Sequence, residues 1–323
     1  MTHSRANLTR GYAFALTSAV ILATTAIFIR YLTQTYQLPA LVLAFWRDGF
    51  VTLTLLLALR LLKPQLLHIN RQYWGYLMAY GLVLAIFNAS WTESVALNGA
   101  ALATVLVYCS AGFTALLGWW LLKEHLDWLK LLAVAFSLGG CVLVADALNP
   151  SAWQTNLAGI LTGILSGLGY AIYTLMGRAA SQRGLNPWTT LLYTFGFATF
   201  FLFAFNILPG EVLPGAAVQT GDLFWLGNAL PGWGILFLLA AGPTLLGFGM
   251  YNTSLTYLPS SVVNLIVTLE PPFTALFAYF TLGELLSGIQ IAGGLIILAG
   301  VVLLRVSEGR LMKRNGELST NLG

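Results

Sequence analysis

Four ionisable residues, Arg47, Asp48, Glu93 and Glu270, lie inside long apolar stretches of the sequence. A charged side chain at the centre of a bilayer costs roughly 2.5–3.5 kcal/mol on insertion scales. If these stretches cross a membrane, each of the four residues needs a partner, a water-filled cavity or a bound proton. They are therefore the first candidates for binding a polar solute or for carrying protons.

Arg47 and Asp48 are neighbours in the second apolar stretch. Consecutive residues on a helix point about 100° apart, which makes a mutual salt bridge awkward and predicts separate partners. Two interpretations stay open for both residues: a structural role, in which they hold this stretch against its neighbours, and a role in gating.

Glu93 follows Asn88 by about one helical turn, in a stretch that also contains Trp91 and Thr92. A carboxyl group in that setting could exchange protons as a substrate binds. It could equally lie near the outer interface of a membrane, where water would solvate it. Both interpretations remain open for this residue.

Glu270 stands directly before Pro271 and Pro272, near the middle of its apolar stretch. Proline has no amide hydrogen and frees carbonyl groups one turn earlier, so the helix is predicted to break or kink here. Broken helices expose backbone groups that suit the polar ends of a solute. We therefore favour a functional role for Glu270 and a structural or gating role for the two prolines.

Aromatic, hydroxyl and amide side chains recur at equivalent positions of the two halves of the chain, as in the pair Trp91 and Tyr251. Positions related by a repeat are expected to face one shared axis, and an aromatic cavity there would suit an amphipathic metabolite, through stacking or cation–π contact with an amine. The residues predicted to contact substrate are Asn88, Trp91, Thr92, Glu93, Thr104, Tyr108, Tyr170, Tyr173, Tyr251, Asn252, Asn264 and Glu270.

Motifs of enzymes do not occur: the sequence contains no HExxH, no GxSxG and no P-loop. The three histidines fall in tails or loops, and the two cysteines fall inside apolar stretches. This pattern supports neither a metal site nor a disulfide framework. We expect no catalytic activity and no cofactor.

The composition requires a membrane around these residues. Hydrophobic residues make up 58% of the 323 and charged residues only 8%, against roughly 25% charged in an ordinary soluble domain. Apolar runs of about 20 residues with short polar breaks predict an all-α membrane protein of ten transmembrane helices. The runs are Gly11–Ile29, Pro39–Leu61, Trp74–Leu97, Ala100–Leu122, Trp128–Ala145, Leu157–Met176, Pro187–Leu208, Trp233–Tyr257, Ser260–Leu282 and Ser287–Leu304.

The positive charges divide unevenly between the two sides of this arrangement. Of the fifteen Lys and Arg residues, thirteen fall in tails and alternate loops on one side. Arg30 lies on the other side and Arg47 within a run. Positive loops stay in the cytoplasm, so both termini are predicted to be cytoplasmic in a multi-pass protein of the cytoplasmic membrane. The bias also explains the net charge of +4 without a nucleic-acid partner.

The two halves of the chain are related in sequence. Phe113–Leu116 recurs as Phe273–Leu276, and the first two runs match the sixth and seventh at a slightly shorter spacing, with Arg30 opposite Arg178. The Gly- and Pro-rich connection 209–231, an extended loop or short surface helix, accounts for the difference. Because five is odd, the second half must enter the membrane from the opposite face, which predicts two inverted five-helix repeats, an arrangement used by secondary transporters.

The sequence resembles the ten-span EamA family of the drug/metabolite transporter superfamily across nearly its whole length. The residues that carry the resemblance are Pro39 with Arg47, Lys123-Glu124, Glu270-Pro271-Pro272-Phe273-Thr274-Ala275-Leu276, Leu282-Gly283-Glu284, and Gly293, Gly294 and Gly300. The first repeat departs from the family pattern, with Ser110-Ala111-Gly112 where a proline is usual. The resemblance implies movement of small metabolites, often export of amino acids or related compounds, without ATP.

These observations predict a first repeat over residues 1–147, a second over 148–305 and a cytoplasmic tail over 306–323. The predicted function is a secondary transporter that exports small amphipathic metabolites, amino acids or related compounds, by alternating access. Three alternatives stay open: a proton-coupled exporter of cationic drugs or amines, a lipid-handling flippase, and a receptor or scaffold that transports nothing. The expected partners are a small-molecule substrate and the lipid bilayer, with the protein a monomer or a homodimer.

Overall fold

The computed structural model describes residues 2–144, 148, 157–208, 215–282, 287–289 and 291–303, and within these ranges the chain forms helices and short connections without a strand. The helices are α1 (Thr2–Leu22), α2 (Thr25–Thr35), α3 (Ala40–Leu62), α4 (Trp74–Tyr108), α5 (Ser110–Leu122), α6 (Trp128–Val144), α7 (Leu157–Gln182), α8 (Pro187–Asn206), α9 (Leu230–Leu239), α10 (Leu245–Tyr257), α11 (Ser260–Val267), α12 (Glu270–Leu282) and α13 (Ile291–Leu303). A π-helical segment, Ala240–Thr244, joins α9 to α10.

The outer surface of the bundle is apolar. Large hydrophobic side chains are exposed along it, and Leu61, Leu62 and Trp120 are 81%, 79% and 70% exposed. Lipid removes the penalty that water would impose on such a surface. Five helical stretches in the described ranges are long and apolar enough to cross a bilayer: Asn7–Thr35, Ala40–Leu62, Leu157–Gln182, Pro187–Asn206 and Leu230–Tyr257. The all-α, multi-pass membrane class is therefore confirmed.

Helix α7 packs against α4 through glycines. A Cβ atom at Gly169 would lie 3.0 Å from the Cβ of Phe87, and one at Gly163 would lie 2.5 Å from Leu106. Only glycine allows the two backbones to approach this closely, as at other small-residue interfaces between membrane helices. This contact brings the aromatic residues of α4 and α7 together at the centre of the bundle.

Helix α4 does not end where the third apolar run was predicted to end, at Leu97, because helical hydrogen bonding continues to Tyr108. It is nevertheless not straight. Both Ser94 and Leu106 lie against Gly163 of α7, although twelve residues of straight helix would separate them by about 18 Å. The chain therefore reverses direction between Ser94 and Leu106.

Helices are interrupted at several points near the centre of the bundle. The break predicted at Pro271 and Pro272 is observed, since α11 ends at Val267 and α12 begins at Glu270. The equivalent interruption in the first half falls at Cys109, although no proline is present there. Tertiary packing therefore produces a break that local sequence does not require. The gating role of the prolines remains a prediction.

The interruption between α1 and α2 is closed by a side chain of another helix. The Thr274 hydroxyl of α12 donates a hydrogen bond of 2.9 Å to the Ala23 carbonyl, which the broken helix leaves free. In the second half, the interruption is the π-helical segment that contains Pro243. The helix is irregular there because proline removes one helical donor and clashes with the preceding turn.

Helices α5 and α12 occupy matching positions in the two halves. Ser110 and Leu122 bound the first of them, and Glu270 and Leu282 bound the second. Both ends keep the register in which Phe113 aligns with Phe273. The connection 209–231 contains a short 3₁₀ helix, Thr220–Phe224, in its described part. Residues 209–214, the predicted repeat boundary at 147 and the tail 306–323 lie outside the described residues.

Candidate functional site

A cavity of about 40 Å³ lies at the centre of the bundle, between helices of the first half and helices of the second. Tyr170, near the middle of α7, and Glu270, at the break between α11 and α12, both line it. Six of the predicted functional residues meet there, together with six that were not predicted. The lining residues are Leu22, Thr25, Arg47, Phe87, Asn88, Trp91, Val107, Tyr108, Tyr170, Thr244, Phe248 and Glu270.

Arg47 and Asp48 form a buried ion pair beside the cavity. Arg47 Nε lies 3.2 Å from Asp48 Oδ1, and the side chains are 2% and 0% exposed. The prediction of separate partners was wrong for Arg47, because its long side chain turns back to reach its neighbour. Asp48 does have a second partner, since Asn88 Nδ2 donates a 2.6 Å hydrogen bond to its Oδ2. Asn88 thus ties α4 to α3.

The ion pair with Asp48 occupies only the Nε atom of the Arg47 guanidinium. Its Nη2 atom is buried and has no hydrogen-bond partner among the residues that the structure describes. Arg47 lines the cavity, whereas Asp48 does not.

Glu270 provides an acidic group on the cavity wall. The Tyr108 hydroxyl donates a 2.5 Å hydrogen bond to Glu270 Oε2, and both residues line the cavity. The position of Glu270 at the start of α12, followed by Pro271, holds the carboxylate at the helix N-terminus, where the helix dipole favours negative charge. Both residues line the cavity, and the prediction that each of them contacts substrate remains a prediction.

Two hydroxyl groups complete the polar lining. Thr25 follows the break between α1 and α2, and Thr244 ends the π-helical segment. A threonine inside a regular helix commonly donates to the carbonyl four residues earlier. Neither hydroxyl has a partner within the described ranges, although both are buried.

Aromatic rings form much of the remaining wall. Phe87 and Tyr170 stack with ring centroids 5.0 Å apart and planes 8° apart. Trp91 and Phe248 also line the cavity. The cavity therefore combines apolar faces with a few polar groups, which is the usual character of a small-molecule site.

Tyr173, Tyr251, Asn252 and Asn264 were predicted to contact substrate, but the structure places them in a hydrogen-bonded layer behind the cavity. Asn252 Nδ2 donates to the Tyr173 hydroxyl at 2.7 Å. The Tyr251 and Thr174 hydroxyls are 2.6 Å apart. These side chains are almost fully buried and use their polar groups on one another, as a stabilising network does.

The expectation that repeat-related positions face the cavity together is therefore not met in this conformation. Trp91 lines the cavity, whereas its counterpart Tyr251 lies behind Tyr170, with ring centroids 5.5 Å apart. The hydroxyl of Thr92 bonds to the Asn88 carbonyl of its own helix. The side chain of Thr104 lies outside the described residues.

Glu93 is buried, 6% exposed, but it does not line the cavity. A Cβ atom at Gly215, in the connection before α9, would lie 2.5 Å from its Oε2. Glu93 thus faces the chain segment that covers the end of the bundle where α3 begins. This position differs from both the cavity and the solvated interface that the sequence left open.

A second polar contact joins the end of α5 to the start of α11. The Glu124 carboxylate accepts four hydrogen bonds from the first residues of α11, from the backbone and side-chain donors of Ser260 at 2.7 and 2.6 Å and of Ser261 at 3.2 and 2.7 Å. We call this contact the Glu124 latch. Lys123, with a left-handed φ of 53°, ends α5 and turns the chain so that Glu124 reaches α11.

Sequence reasoning missed Thr25, Thr244 and Phe87 in the cavity, and the partners of Glu124. Thr244 could have been found from the Gly242-Pro243 pair directly before it, because Gly and Pro inside an apolar run indicate an irregular helix. No comparable signal marks Thr25 or Phe87, because nothing in one apolar run shows which of its faces meets a cavity.

The model of the EamA-like transporter family matches the chain twice, over residues 9–145 and 157–306. The two matches together span most of the chain, and each contributes helices to the cavity.

Two named relatives come from Salmonella typhimurium. The chain is 29% identical over 147 residues to the threonine/homoserine exporter RhtA, covering 45% of this chain and 44% of the relative. It is 25% identical over 239 residues to a probable amino-acid metabolite efflux pump, covering 70% of this chain and 75% of that protein.

A solved crystal structure of another protein has the same fold. It aligns with a TM-score of 0.73 over 94% of this chain and 99% of the other, at 14% sequence identity. At that identity the likeness extends to the fold alone.

Proposed function

This chain belongs to the EamA-like transporter family, and we propose that it is a secondary transporter that exports small amphipathic metabolites, amino acids or close relatives, across the cytoplasmic membrane by alternating access. The central cavity is the observation that carries this proposal. It is buried at the meeting point of the two halves, and aromatic rings, the Glu270 carboxylate, Arg47, Thr25 and Thr244 line it. Arg47 Nη2 and the two threonine hydroxyls have no partner among the residues that the structure describes. Buried polar groups of this kind mark solute pathways in membrane proteins.

Ten spans arranged as two inverted repeats are part of the proposal. The matching bounds of α5 and α12 and the reversal of α4 beside Gly163 support it. Inverted repeats supply two conformations of similar energy, each opening the same site to one side. With positive loops inside, both termini and the Glu124 latch face the cytoplasm.

The cavity must widen during transport. Its volume of about 40 Å³ is well below the roughly 300–1,000 Å³ of typical ligand sites. Helix interruptions surround it, at Ala23–Thr24, Cys109, Ala240–Thr244 and Thr268–Leu269. Such interruptions are the places where half-helices can tilt without breaking long runs of hydrogen bonds. The structure therefore corresponds to a contracted state of the transport cycle.

The Glu124 latch is the proposed cytoplasmic gate. Four charge-assisted hydrogen bonds join the end of α5 to the start of α11. Opening toward the cytoplasm separates these two helix ends, so the latch must release in each cycle. The latch thus stabilises the conformation that is closed on the cytoplasmic side.

The names of the two Salmonella relatives favour amino acids and related metabolites as the exported solutes. No P-loop occurs in the sequence, which agrees with transport driven by gradients and not by ATP.

A second candidate function is proton-coupled export of cationic amines. The buried Glu270 carboxylate on the cavity wall favours it, because one carboxylate can bind either a proton or an ammonium group. This candidate requires amine flux to follow an imposed pH gradient and to disappear in Glu270→Gln.

Uptake by proteoliposomes without ATP tests the proposal. Vesicles containing the purified protein are mixed with a panel of labelled amino acids, amines and related metabolites, beside protein-free vesicles. We expect saturable uptake of at least one amino acid, with threonine and homoserine tested first. No uptake across the panel would contradict transport, and faster movement of labelled lipids between leaflets would indicate a flippase instead.

A further inference from the structure

Resting on the proposed function, we propose that the cavity binds a zwitterion in one orientation, with its carboxylate held by Arg47, Thr25 and Thr244 and its ammonium group held by Glu270.

The donor wall is built from three polar groups, the Arg47 guanidinium and the hydroxyls of Thr25 and Thr244. Arg47 Nε is occupied by Asp48, while Nη2 is buried and unpartnered among the described residues. The hydroxyls of Thr25 and Thr244 are also buried without partners in the described ranges. Unsatisfied buried donors are rare in folded proteins, and a charged one is the most costly. A ligand with acceptor oxygens satisfies all three.

A carboxylate suits this wall better than a neutral acceptor does. Guanidinium groups bind planar carboxylates through charge-assisted hydrogen bonds, and hydroxyls can donate to the remaining lone pairs. A phosphate ester carries more charge than the single Arg47 can balance, since Asp48 already neutralises part of the guanidinium. The wall therefore selects a singly charged acid group.

The acceptor wall is Glu270. Its Oε2 atom takes the Tyr108 hydroxyl hydrogen, and an ionised carboxylate has further lone pairs, accepting hydrogen bonds without donating any. An ammonium group is the complementary ligand. Because Arg47 comes from α3 of the first half and Glu270 from α12 of the second, one small zwitterion would connect the two halves through its two charged ends.

Asp48 and Asn88 act as positioning residues in this arrangement. Asn88 Nδ2 holds Asp48 Oδ2 at 2.6 Å, and Asp48 Oδ1 holds Arg47 Nε at 3.2 Å. These two contacts fix the guanidinium in an orientation in which Nη2 has no partner among the described residues. Asp48 itself does not line the cavity.

The test compares each amino acid of the panel with the amine that lacks its carboxylate, such as threonine with 1-amino-2-propanol. Affinities come from ligand-dependent thermal stabilisation of the purified full-length protein. We expect the wild type to prefer the amino acid by about 10-fold or more, as loss of a hydrogen bond to a charged group predicts. Arg47→Gln should remove that preference by weakening amino-acid binding while leaving amine binding within about twofold.

Arg60→Gln is the matched control, because Arg60 is exposed at the end of α3 and far from the cavity lining; it should bind both ligands like the wild type. Arg47→Lys keeps the charge without the planar fork and should retain part of the preference. If Arg47→Gln does not fold, Thr25→Val and Thr244→Val remain informative, since each should weaken amino-acid binding several-fold and spare the amine.

Equal binding of amine and amino acid by the wild type would overturn the carboxylate site, and so would equal weakening of both ligands by Arg47→Gln. Binding of amino acids with the expected Arg47 dependence but no flux in vesicles would overturn transport and leave the site intact. Absence of binding by every ligand would overturn both.

Discussion

The two halves of the chain share a helical plan but place different residues at equivalent positions. By the sequence repeat, Arg47 and Asp48 of α3 correspond to Phe195 and Gly196 of α8, and Glu270 of α12 corresponds to Ser110 of α5. Phe195 packs edge-to-face on Phe248, with centroids 5.5 Å apart. Of the charged residues that line the cavity, the first half thus supplies the cation Arg47 and the second half supplies the carboxylate Glu270.

The Glu124 latch has no equivalent in the described part of the first half. Ser260 and Ser261, which the Glu124 latch holds, correspond to Ala100 and Ala101 in the first half. Alanine has no hydroxyl, and the backbone amides of these two residues lie inside the continuous helix α4. In the proposed transport cycle the repeated scaffold would support two similar motions, while the unmatched side chains make the two ends of the cavity and of the bundle chemically distinct.

The largest effect on stability is expected when the buried pair of Arg47 and Asp48 is broken, since α8 has no charged residues at the equivalent positions. Asp48→Leu leaves Arg47 buried without its partner and should lower the free energy of unfolding by about 3–5 kcal/mol. Arg47→Met with Asp48→Leu removes both charges and should lower it much less. Denaturant unfolding in micelles measures both values. Equal losses in the two variants would show that the pair contributes through packing alone.

A smaller but still large effect is expected at Glu270. Glu270→Gln keeps an acceptor for Tyr108 but removes the charge that an ammonium group requires. Uptake in proteoliposomes should fall about 10- to 100-fold, as for loss of one charge-assisted hydrogen bond. Glu93→Gln is the matched control, since Glu93 is a buried carboxyl residue outside the cavity lining. A similar loss in both variants would place Glu93 in the transport site after all.

The latch asymmetry can be removed by Ser260→Ala with Ser261→Ala, which copies Ala100 and Ala101. Two of the four hydrogen bonds of Glu124 are lost while the two backbone bonds remain. Hydrogen exchange of the first amides of α11 should accelerate about tenfold, for a loss of about 1.4 kcal/mol. Thr253→Val, which removes a hydroxyl bonded only within α10, should leave these amides unchanged. Unchanged exchange in the serine variant would argue against a latch.

The smallest effect is expected in the layer behind the cavity. Tyr173→Phe removes the acceptor of Asn252 Nδ2 and should lower the free energy of unfolding by about 1 kcal/mol, with uptake unchanged. Asn252 also donates to the Phe248 carbonyl, which limits the loss. A fall in uptake at constant stability would instead support the prediction that Tyr173 contacts substrate.

Much of the fold could be predicted from sequence, because hydropathy and proline act locally. The apolar runs located the helices, and Pro271 with Pro272 located the break before α12. The sequence predicted two separate apolar runs where α4 reverses direction. It did not predict that helical hydrogen bonding continues through Gly99 between them. In the second half Pro259 separates the corresponding helices, and the first half has no proline at this point.

The site was harder to predict, because hydropathy gives depth in the membrane but not the direction of a side chain. Asn88, Trp91, Tyr108, Tyr170 and Glu270 line the cavity, and their contact with substrate remains a prediction. Tyr173, Asn252 and Asn264 have the same polar chemistry, yet they bond with neighbours that only the tertiary structure brings near. Thr25 and Thr244 were missed for the opposite reason. A threonine in an apolar run normally donates to a carbonyl of its own helix, but beside these interruptions the two hydroxyls have no partner among the residues described by the structure.

Counterflow in proteoliposomes tests the central claim, that this cavity carries a solute between the two sides of the membrane. Vesicles are loaded with an unlabelled amino acid of the panel and diluted into a trace of the same labelled compound. The account predicts transient accumulation of label above equilibrium for at least one amino acid with the wild type and with Arg60→Gln, and none with Glu270→Gln. Absence of accumulation for every amino acid, or equal accumulation with Glu270→Gln, would contradict it.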